Sequence, residues 1–256
     1  THLQLNPVTD FYGVDDVKCK EYNWGYDVIS FFALEGSYSS NPNNPISRLF
    51  EFKTMVEQLH KNNIRVVMDV VYNHIYKYED SSLEKTVPNY FFRKKKNGEY
   101  SNASGCGNDF ASEKYMARRM IIDSLRYFTE IFNIDGYRFD LMGLLDIKTI
   151  NKAYEEIKSI KNDIVMYGEG WDMGVELKKN EKASYKNANA MPNIGFFNDA
   201  YRNIMRGVGS KATLEENGFL LGNNSYNDGF EFAFRASTID KVLKDLSLTS
   251  DTPSSP

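Results

Sequence analysis

The chain has 256 residues and a formal net charge of −4, and 41% of its residues are hydrophobic. This length suits one large α/β domain or two small ones. The negative balance argues against a nucleic-acid or anionic-membrane surface as the main partner. No apolar stretch approaches the roughly 18 residues of a membrane span.

The first quarter of the chain predicts a strand, a long loop, a helix and a second strand. Leu3–Leu5 is typical of a short strand, and the loop from 9 to 45 is too aromatic to be disordered. Ser47 is the predicted N-cap of a helix that ends at Asn62–Asn63. The β-branched run Ile64–Val71 then indicates a parallel strand that is covered on both faces.

The remaining elements alternate in the same way after a loop from 72 to 109. Ser112 is the predicted cap of a long helix whose buried side carries Tyr115, Met116, Met120, Ile121, Leu125, Phe128 and Phe132. Strands are predicted at 134–139, 164–167 and 194–197, and helices at 147–160, 200–206 and 238–246. Alternating strands and helices predict right-handed βαβ units and a parallel sheet. For the two cysteines, Cys19 and Cys106, one bridge is the alternative, and two free thiols are favoured.

Two of the predicted strands end in carboxylates, which suggests a reaction that needs two of them. Arg138 and Asp140 are two residues apart and share one face of an extended segment. Glu169 follows the next strand. A retaining glycosidase uses one carboxylate as nucleophile and one as proton donor, about 5–5.5 Å apart. The alternative is that each is a structural carboxylate at a strand end.

The environments of the two carboxylates differ in a way that fits these roles. Arg138 would keep Asp140 ionised through its nearby positive charge. Glu169 must hold a proton near neutral pH, and Trp171 is an apolar wall that would favour this.

The stretch DVVYNH, residues 69–74, supplies a third set of polar groups. Asp69 lies inside an apolar strand, and a buried carboxylate needs partners. His74 follows this strand and is either a satisfied loop residue or a hydrogen-bonding contact to a substrate. We favour the substrate contact.

The motifs DVVYNH, GYRFDLMG and GEGW resemble the conserved regions of the α-amylase superfamily of glycoside hydrolases. YNWGYD together with SGCGND resembles the type I pullulanase branch. The similarity covers nearly the whole chain. It implies an α/β fold, an incomplete TIM (β/α)₈ barrel that holds about strands two to six. The catalytic domain would extend over residues 1–250, and 251–256 would form a flexible tail.

The resemblance also implies roles for the residues named above. Asp140 would be the nucleophile, Glu169 the general acid/base and Arg138 the support of Asp140. His74 would contact the sugar in subsite −1, and Tyr26 would stack on it.

Three further positions take less direct roles from the resemblance. Asp69 would be structural, and Trp171 would line the cleft. Asn73 matches a residue that binds calcium in many amylases. Pullulanases often lack that site, so no metal is assigned and no cofactor is expected.

The function implied is hydrolysis of α-1,6-glucosidic bonds, with pullulan, amylopectin and glycogen limit dextrins as the α-glucan substrates. The alternatives are an α-1,4-acting amylase or amylopullulanase and a non-catalytic α-glucan-binding scaffold. The compartment stays open between secreted, cell-surface and cytoplasmic.

The sequence departs from the family pattern in three places. Val28 stands where the branch usually has Pro, and Ala33-Leu34 stands where Val-Pro is usual. The superfamily also carries a His-Asp-Asn stretch near its seventh strand, whose Asp stabilises the transition state. These 256 residues contain no His-Asp pair, so we expect them to be inactive or very weak by themselves.

Overall fold

The computed structural model describes residues 1–207, 217–226, 230 and 233–234. The chain divides into two compact units, Thr1–Phe196 and Phe197–Pro256. The predicted helix at 238–246 and the predicted tail at 251–256 lie outside the described residues. The prediction of one catalytic domain over 1–250 stays a prediction.

The first unit is built on a parallel sheet of five strands in the order β1-β2-β3-β4-β5. The strands are β1 (His2–Leu5), β2 (Arg65–Val70), β3 (Gly136–Phe139), β4 (Val165–Gly168) and β5 (Gly195–Phe196). Every neighbouring pair is parallel. Chain order and spatial order coincide, as they do in a (β/α)₈ barrel, which confirms the predicted incomplete barrel.

The helices that follow the strands are α1 (Pro45–Lys61), α2 (Ser82–Thr86), α3 (Tyr115–Phe132) and α4 (Ile147–Ile160), and the second unit contains α5 (Asp199–Arg206). The bounds of α4 are as predicted, because Asp146 caps it by accepting a bond from the Thr149 N–H at 3.0 Å. The short helix α2 was not predicted. Within the described part of the chain, no helix is both long enough and apolar enough to cross a membrane.

Both predicted serine caps are wrong. Helix α1 begins two residues earlier than Ser47, because Asn44 accepts a bond from the Ile46 N–H at 3.1 Å and Pro45 suits a first helical turn. Helix α3 begins three residues after Ser112. The hydroxyl of Ser112 instead accepts a bond from the Asp146 N–H at 3.0 Å.

The buried face of α3 is narrower than predicted. Its core side chains are Ile121, Leu125, Phe128 and Phe132, which form one stripe at helical spacing. Tyr115 and Met116 were predicted to be buried but are 68% and 48% exposed. At about 100° per residue, Tyr115 and Met116 lie about 110° and 150° around the helix from the centre of the stripe.

A group of hydrogen-bonded polar side chains closes the N-terminal end of the sheet. We call Asp135, His60 and Lys161 the basal cluster. Asp135, just before β3, accepts bonds from His60 at 2.7 Å, from Lys161 at 2.6 Å and from the Val66 N–H at 2.7 Å. One buried carboxylate therefore ties α1, β2 and the end of α4 together.

A second contact crosses the concave side of the sheet. The hydroxyl of Tyr167 on β4 donates to the side-chain oxygen of Gln4 on β1 at 2.5 Å. The two strands are not neighbours, since β2 and β3 lie between them.

Candidate active site

The strand register brings the predicted site residues to the C-terminal end of the sheet. Asp69 on β2 is the direct partner of Arg138 on β3. Asp140 and Glu169 come immediately after β3 and β4, whose last residues are themselves partners in register. The two carboxylates therefore leave adjacent strand ends, where barrel enzymes place their active sites.

Arg138 binds all three carboxylates, and we call these four residues the carboxylate cluster. Its Nη1 donates to both oxygens of Asp69 at 2.8 and 3.0 Å and to Asp140 Oδ1 at 2.9 Å, and its Nη2 donates to Glu169 Oε1. The Asp69 side chain is 1% exposed, while those of Asp140 and Glu169 are 12% and 13% exposed. The support of Asp140 by Arg138 was predicted, and the shared contact with the other two carboxylates was not.

Asp140 is held from its other side by Asn73. The Asn73 amide donates to Asp140 Oδ2 at 2.9 Å and to the Asp140 backbone oxygen at 3.0 Å. The side-chain oxygen of Asn73 in turn accepts a bond from His74 Nδ1 at 2.5 Å. Burial lowers the pKa of His74, although Asp140 opposes this shift, so the neutral imidazole is favoured. The sequence analysis associated Asn73 only with calcium binding in amylases. Its contact with Asp140 was not predicted, because that contact depends on tertiary structure.

Glu169 lies in surroundings that favour its protonated form. Burial raises the pKa of Glu169, and this exceeds the opposite effects of the Leu141 N–H and Arg138. The Leu141 N–H donates to Glu169 Oε2 at 3.0 Å. The raised pKa matches the requirement for a proton donor near neutral pH.

Leu141 adopts a backbone conformation that is unusual for a side chain of its kind. Its φ is 40° and its ψ is 45°, in the left-handed region. For an L-residue this costs about 1–2 kcal/mol, and the N–H of this residue is the one that donates to Glu169. No sequence signal predicts it, because leucine rarely occupies this region.

Tyr26 reaches the same cluster from the aromatic loop. Its hydroxyl donates to Asp69 Oδ2 at 2.8 Å, and its ring centre is 6.0 Å from the Arg138 guanidinium carbon. Burial raises the pKa of Asp69 although bonds from Arg138 and Tyr26 oppose the shift. The structure thus brings Tyr26 into the site, while its stacking on a sugar stays a prediction.

Trp171 is half-buried in the loop after β4. A Cβ atom at Gly143 would lie 1.7 Å from the Trp171 carbonyl oxygen, so only glycine lets the loops after β3 and β4 approach this closely. Its predicted role as a wall of the cleft stays a prediction.

The SGCGND motif folds around Asp109 and holds the segment after β2. The Asp109 carboxylate accepts bonds from the N–H groups of Ala103 at 2.9 Å and Ser104 at 2.8 Å. The Asn108 side chain accepts from the Ile75 N–H at 3.1 Å and donates to the Ile75 carbonyl at 2.7 Å. The motif therefore fixes the chain just beyond His74.

Over the described residues, no group of three or more His, Cys, Asp or Glu side chains has an arrangement that could hold a metal ion. The assignment of no metal and no cofactor stays a prediction.

Comparisons with known proteins connect this geometry with one group of enzymes, although no family model matches the chain. The pullulanase of Bacillus subtilis (strain 168) is 50% identical over 224 residues, which are 87% of this chain and 31% of that protein. A glycogen operon protein GlgX homolog from Haemophilus influenzae is 35% identical over 167 residues, 59% of this chain and 24% of that protein.

Solved structures give the same result. The crystal structure of the pullulanase from Anoxybacillus sp. LM18-11 complexed with maltotetraose matches with a TM-score of 0.89 and 44% identity, over 93% of this chain and 35% of that one. The chain spans less than a third of the length of the curated relatives named above.

Proposed function

We propose, since the chain belongs to the type I pullulanases of the α-amylase superfamily, that the protein hydrolyses α-1,6-glucosidic bonds in pullulan and branched α-glucans. Amylopectin and glycogen limit dextrins are included among the substrates. The observation that carries the proposal is the placement of Asp140 and Glu169 on adjacent strand ends around one guanidinium. The maltotetraose and maltotriose bound by the Anoxybacillus pullulanase support an α-glucan ligand.

The reaction proceeds through two displacements and retains the anomeric configuration. Asp140 attacks the anomeric carbon while Glu169 gives its proton to the leaving oxygen, and a glycosyl ester forms on Asp140. Glu169 then takes a proton from water, which attacks the same carbon and releases Asp140. The two displacements together consume one water molecule. The proposal includes neither a metal nor a cofactor.

The contacts of Asp140 suit a nucleophile. Arg138 donates to one of its oxygens and Asn73 to the other. Both bonds fix the orientation of the carboxylate. Asp69 holds Arg138 in position from the other side.

The remaining residues contact the substrate. His74 hydrogen-bonds the sugar in subsite −1, and Tyr26 stacks on it. Trp171 lines the cleft. The N–H of Leu141, in the left-handed turn, fixes the carboxylate of Glu169 by donating a hydrogen bond to it.

The 256 residues by themselves are proposed to be inactive or very weak. The superfamily uses a third acid, in a His-Asp-Asn stretch, to stabilise the transition state, and this sequence has no His-Asp pair. Loss of one stabilising group of this kind typically costs about 10²–10³-fold in kcat. Robust release of sugar from pullulan by the 256-residue chain would contradict this part of the proposal.

The products of pullulan decide between the candidate activities. Maltotriose from the full-length protein supports α-1,6 cleavage, panose-type products show α-1,4 cleavage, and binding without products shows a scaffold. Asp140→Asn and Glu169→Gln should each abolish maltotriose release. Glu57→Gln, which removes an exposed carboxylate from α1, is the matched control and should leave it unchanged.

A further inference from the structure

A buried lysine lies beside the loop that carries Glu169, and the proposed mechanism does not use it. The Lys182 Nζ donates to Asp172 Oδ1 at 2.9 Å and to the Gly174 carbonyl. Both acceptors belong to residues 169–174, the loop after β4, which we call the acid loop. We infer that Lys182 is a positioning residue that holds the acid loop, so that Glu169 keeps the orientation in which it protonates the leaving oxygen. The inference rests on the proposed function and deepens it by adding one residue to the same site.

The backbone on both sides of the lysine is fixed. Residues 181–185, which we call the strap, pair antiparallel with the chain just before α4. The Ile147 N–H donates to the Glu181 carbonyl at 2.9 Å. The Ala183 N–H donates to the Leu145 carbonyl, also at 2.9 Å. Because both neighbours of the lysine make main-chain bonds, its side chain starts from a position that is fixed relative to the start of α4.

The strap also contacts the acid loop directly, through its main chain. The Tyr185 N–H donates to the Gly170 carbonyl at 2.7 Å. The Gly143 N–H, in the loop after β3, donates to the Glu169 carbonyl at 3.0 Å. These bonds hold the start of the acid loop, while the lysine holds its far end. Displacing a catalytic group by about 1 Å can cost about 10²-fold in rate, so both attachments bear on the reaction.

Charge explains why a lysine occupies this buried position. Asp172 accepts bonds from Lys182 and, at 3.0 Å, from Lys186. Burial would raise the pKa of Asp172, but the bonds from both lysines outweigh burial and lower it. The Lys182 side chain is 5% exposed, and that of Lys186 is 59% exposed. Removing one partner of a buried pair leaves an uncompensated charge, whereas an exposed pair contributes little, so Lys186 is a matched control for Lys182.

Two substrates separate the positioning of the proton donor from other roles of the lysine. In pullulan the leaving group is a sugar oxygen that needs a proton, whereas α-maltotriosyl fluoride releases fluoride ion, which needs none. The full-length Lys182→Met protein should lose about 10²-fold in kcat/KM on pullulan and keep the wild-type kcat/KM on the fluoride. Both values report the first displacement. Because unfolded protein loses both activities together, their ratio does not depend on the folded fraction.

Two further variants test the contact itself. Asp172→Ala removes the carboxylate acceptor on the acid loop and should reproduce the selective loss on pullulan. Lys186→Met removes the exposed lysine from the same carboxylate and should leave both substrates at wild-type values. Equal losses on the two substrates in Lys182→Met, or no loss on either, would overturn the positioning role. A selective loss in Lys186→Met as large as that in Lys182→Met would also overturn it, because burial of the lysine would then be irrelevant.

The pH dependence of kcat/KM on pullulan is a second readout, which a purely structural role would not change. Activity falls as the pH rises through the pKa of Glu169, because the proton donor is then ionised. Burial raises this pKa, and a loosened acid loop in Lys182→Met admits water, so the fall in activity should move to lower pH. An unchanged profile would overturn the positioning role. So would a shift to higher pH, because that is the effect of losing a positive charge alone.

The wild-type protein separates this inference from the proposed function. If the full-length wild type releases no maltotriose from pullulan, the proposed function fails and the positioning role fails with it. If the wild type releases maltotriose, the proposed function stands, and the variants decide the role of Lys182.

Discussion

The two ends of the same sheet hold buried carboxylates in opposite electrostatic states. At the C-terminal end, three carboxylates share the guanidinium of Arg138, and the pKa values of Asp69 and Glu169 are raised. At the N-terminal end, Asp135 alone is bound by Lys161, by a histidine and by a backbone N–H. Burial would raise its pKa, but these bonds outweigh burial and lower it.

This difference separates a reactive end from a stabilising end. At the C-terminal end, burial raises the pKa values of Asp69 and Glu169 by more than Arg138 lowers them, and carboxyl groups shifted in this way are typical of catalytic sites. A carboxylate with matched partners instead contributes to the free energy of unfolding. The carboxylate cluster and the basal cluster therefore predict opposite results for the same kind of substitution.

The largest effect is expected from neutralising the catalytic carboxylates. Asp140→Asn or Glu169→Gln should lower kcat on pullulan by at least about 10³-fold, because each removes a group that changes bonding in the transition state. The free energy of unfolding should stay the same or rise for Asp140→Asn, since a like charge is lost from the cluster. It should stay the same for Glu169→Gln, because the surroundings of Glu169 already favour its protonated form. Pullulan turnover and urea unfolding of the full-length protein measure both. Turnover within about tenfold of wild type would place the reaction elsewhere.

Removing the guanidinium of Arg138 should strongly destabilise the C-terminal end of the sheet. Arg138→Met leaves three buried acids without their guanidinium and should cost about 3–5 kcal/mol of stability at neutral pH. The deficit should shrink as the pH falls, because the acids then become protonated. Urea unfolding at two pH values measures it. Arg119→Met, which breaks an exposed pair with Asp123 at 3.0 Å, should cost less than about 1 kcal/mol.

Neutralising the basal cluster should change stability and spare activity. Asp135→Asn should cost about 1.5–3 kcal/mol, because hydrogen bonds to a charged group are lost, with kcat on pullulan close to wild type. The lowered pKa of Asp135 stabilises the fold above the unfolded value of about 3.9, and this is lost as the pH falls through the folded value. The variant should lack that acid dependence in unfolding measured across pH. Loss of turnover without loss of stability would contradict the comparison.

The smallest effect is expected from one hydroxyl. Tyr26→Phe removes the bond to Asp69 and should cost about 1 kcal/mol, with KM for pullulan nearly unchanged. Tyr26→Ala should also raise KM, because it removes the ring that stacks on the sugar. Equal KM values in the two variants would show that the ring does not contact substrate.

The fold could be predicted because its signals are local. A β-branched run such as Ile64–Val71 predicts a strand by itself, and strict alternation with helices predicts a parallel sheet. The N-caps of α1 and α3 could not be predicted correctly. Serine competes with other side chains for the same N–H groups, so neither Ser47 nor Ser112 is a cap. Asn44 caps α1, and the hydroxyl of Ser112 is used in a contact with Asp146.

The candidate site also has features that could be predicted from local sequence and features that could not. Asp140 and Glu169 could be predicted because each follows a strand directly. The joint contact of Arg138 with three carboxylates depends on the register of three strands, and the N–H of Leu141 depends on a backbone conformation that its side chain disfavours. Neither leaves a pattern in the sequence.

The bond between Tyr167 and Gln4 has a consequence for the geometry of the sheet. Three strand spacings of about 4.8 Å separate β1 from β4, so side chains standing upright on a flat sheet would have tips about 14 Å apart. Their oxygens are 2.5 Å apart, which requires the sheet to bend into an arc with converging side chains. The five strands therefore already have the curvature of a barrel, and one hydrogen bond between side chains on its concave face joins strands that are not neighbours.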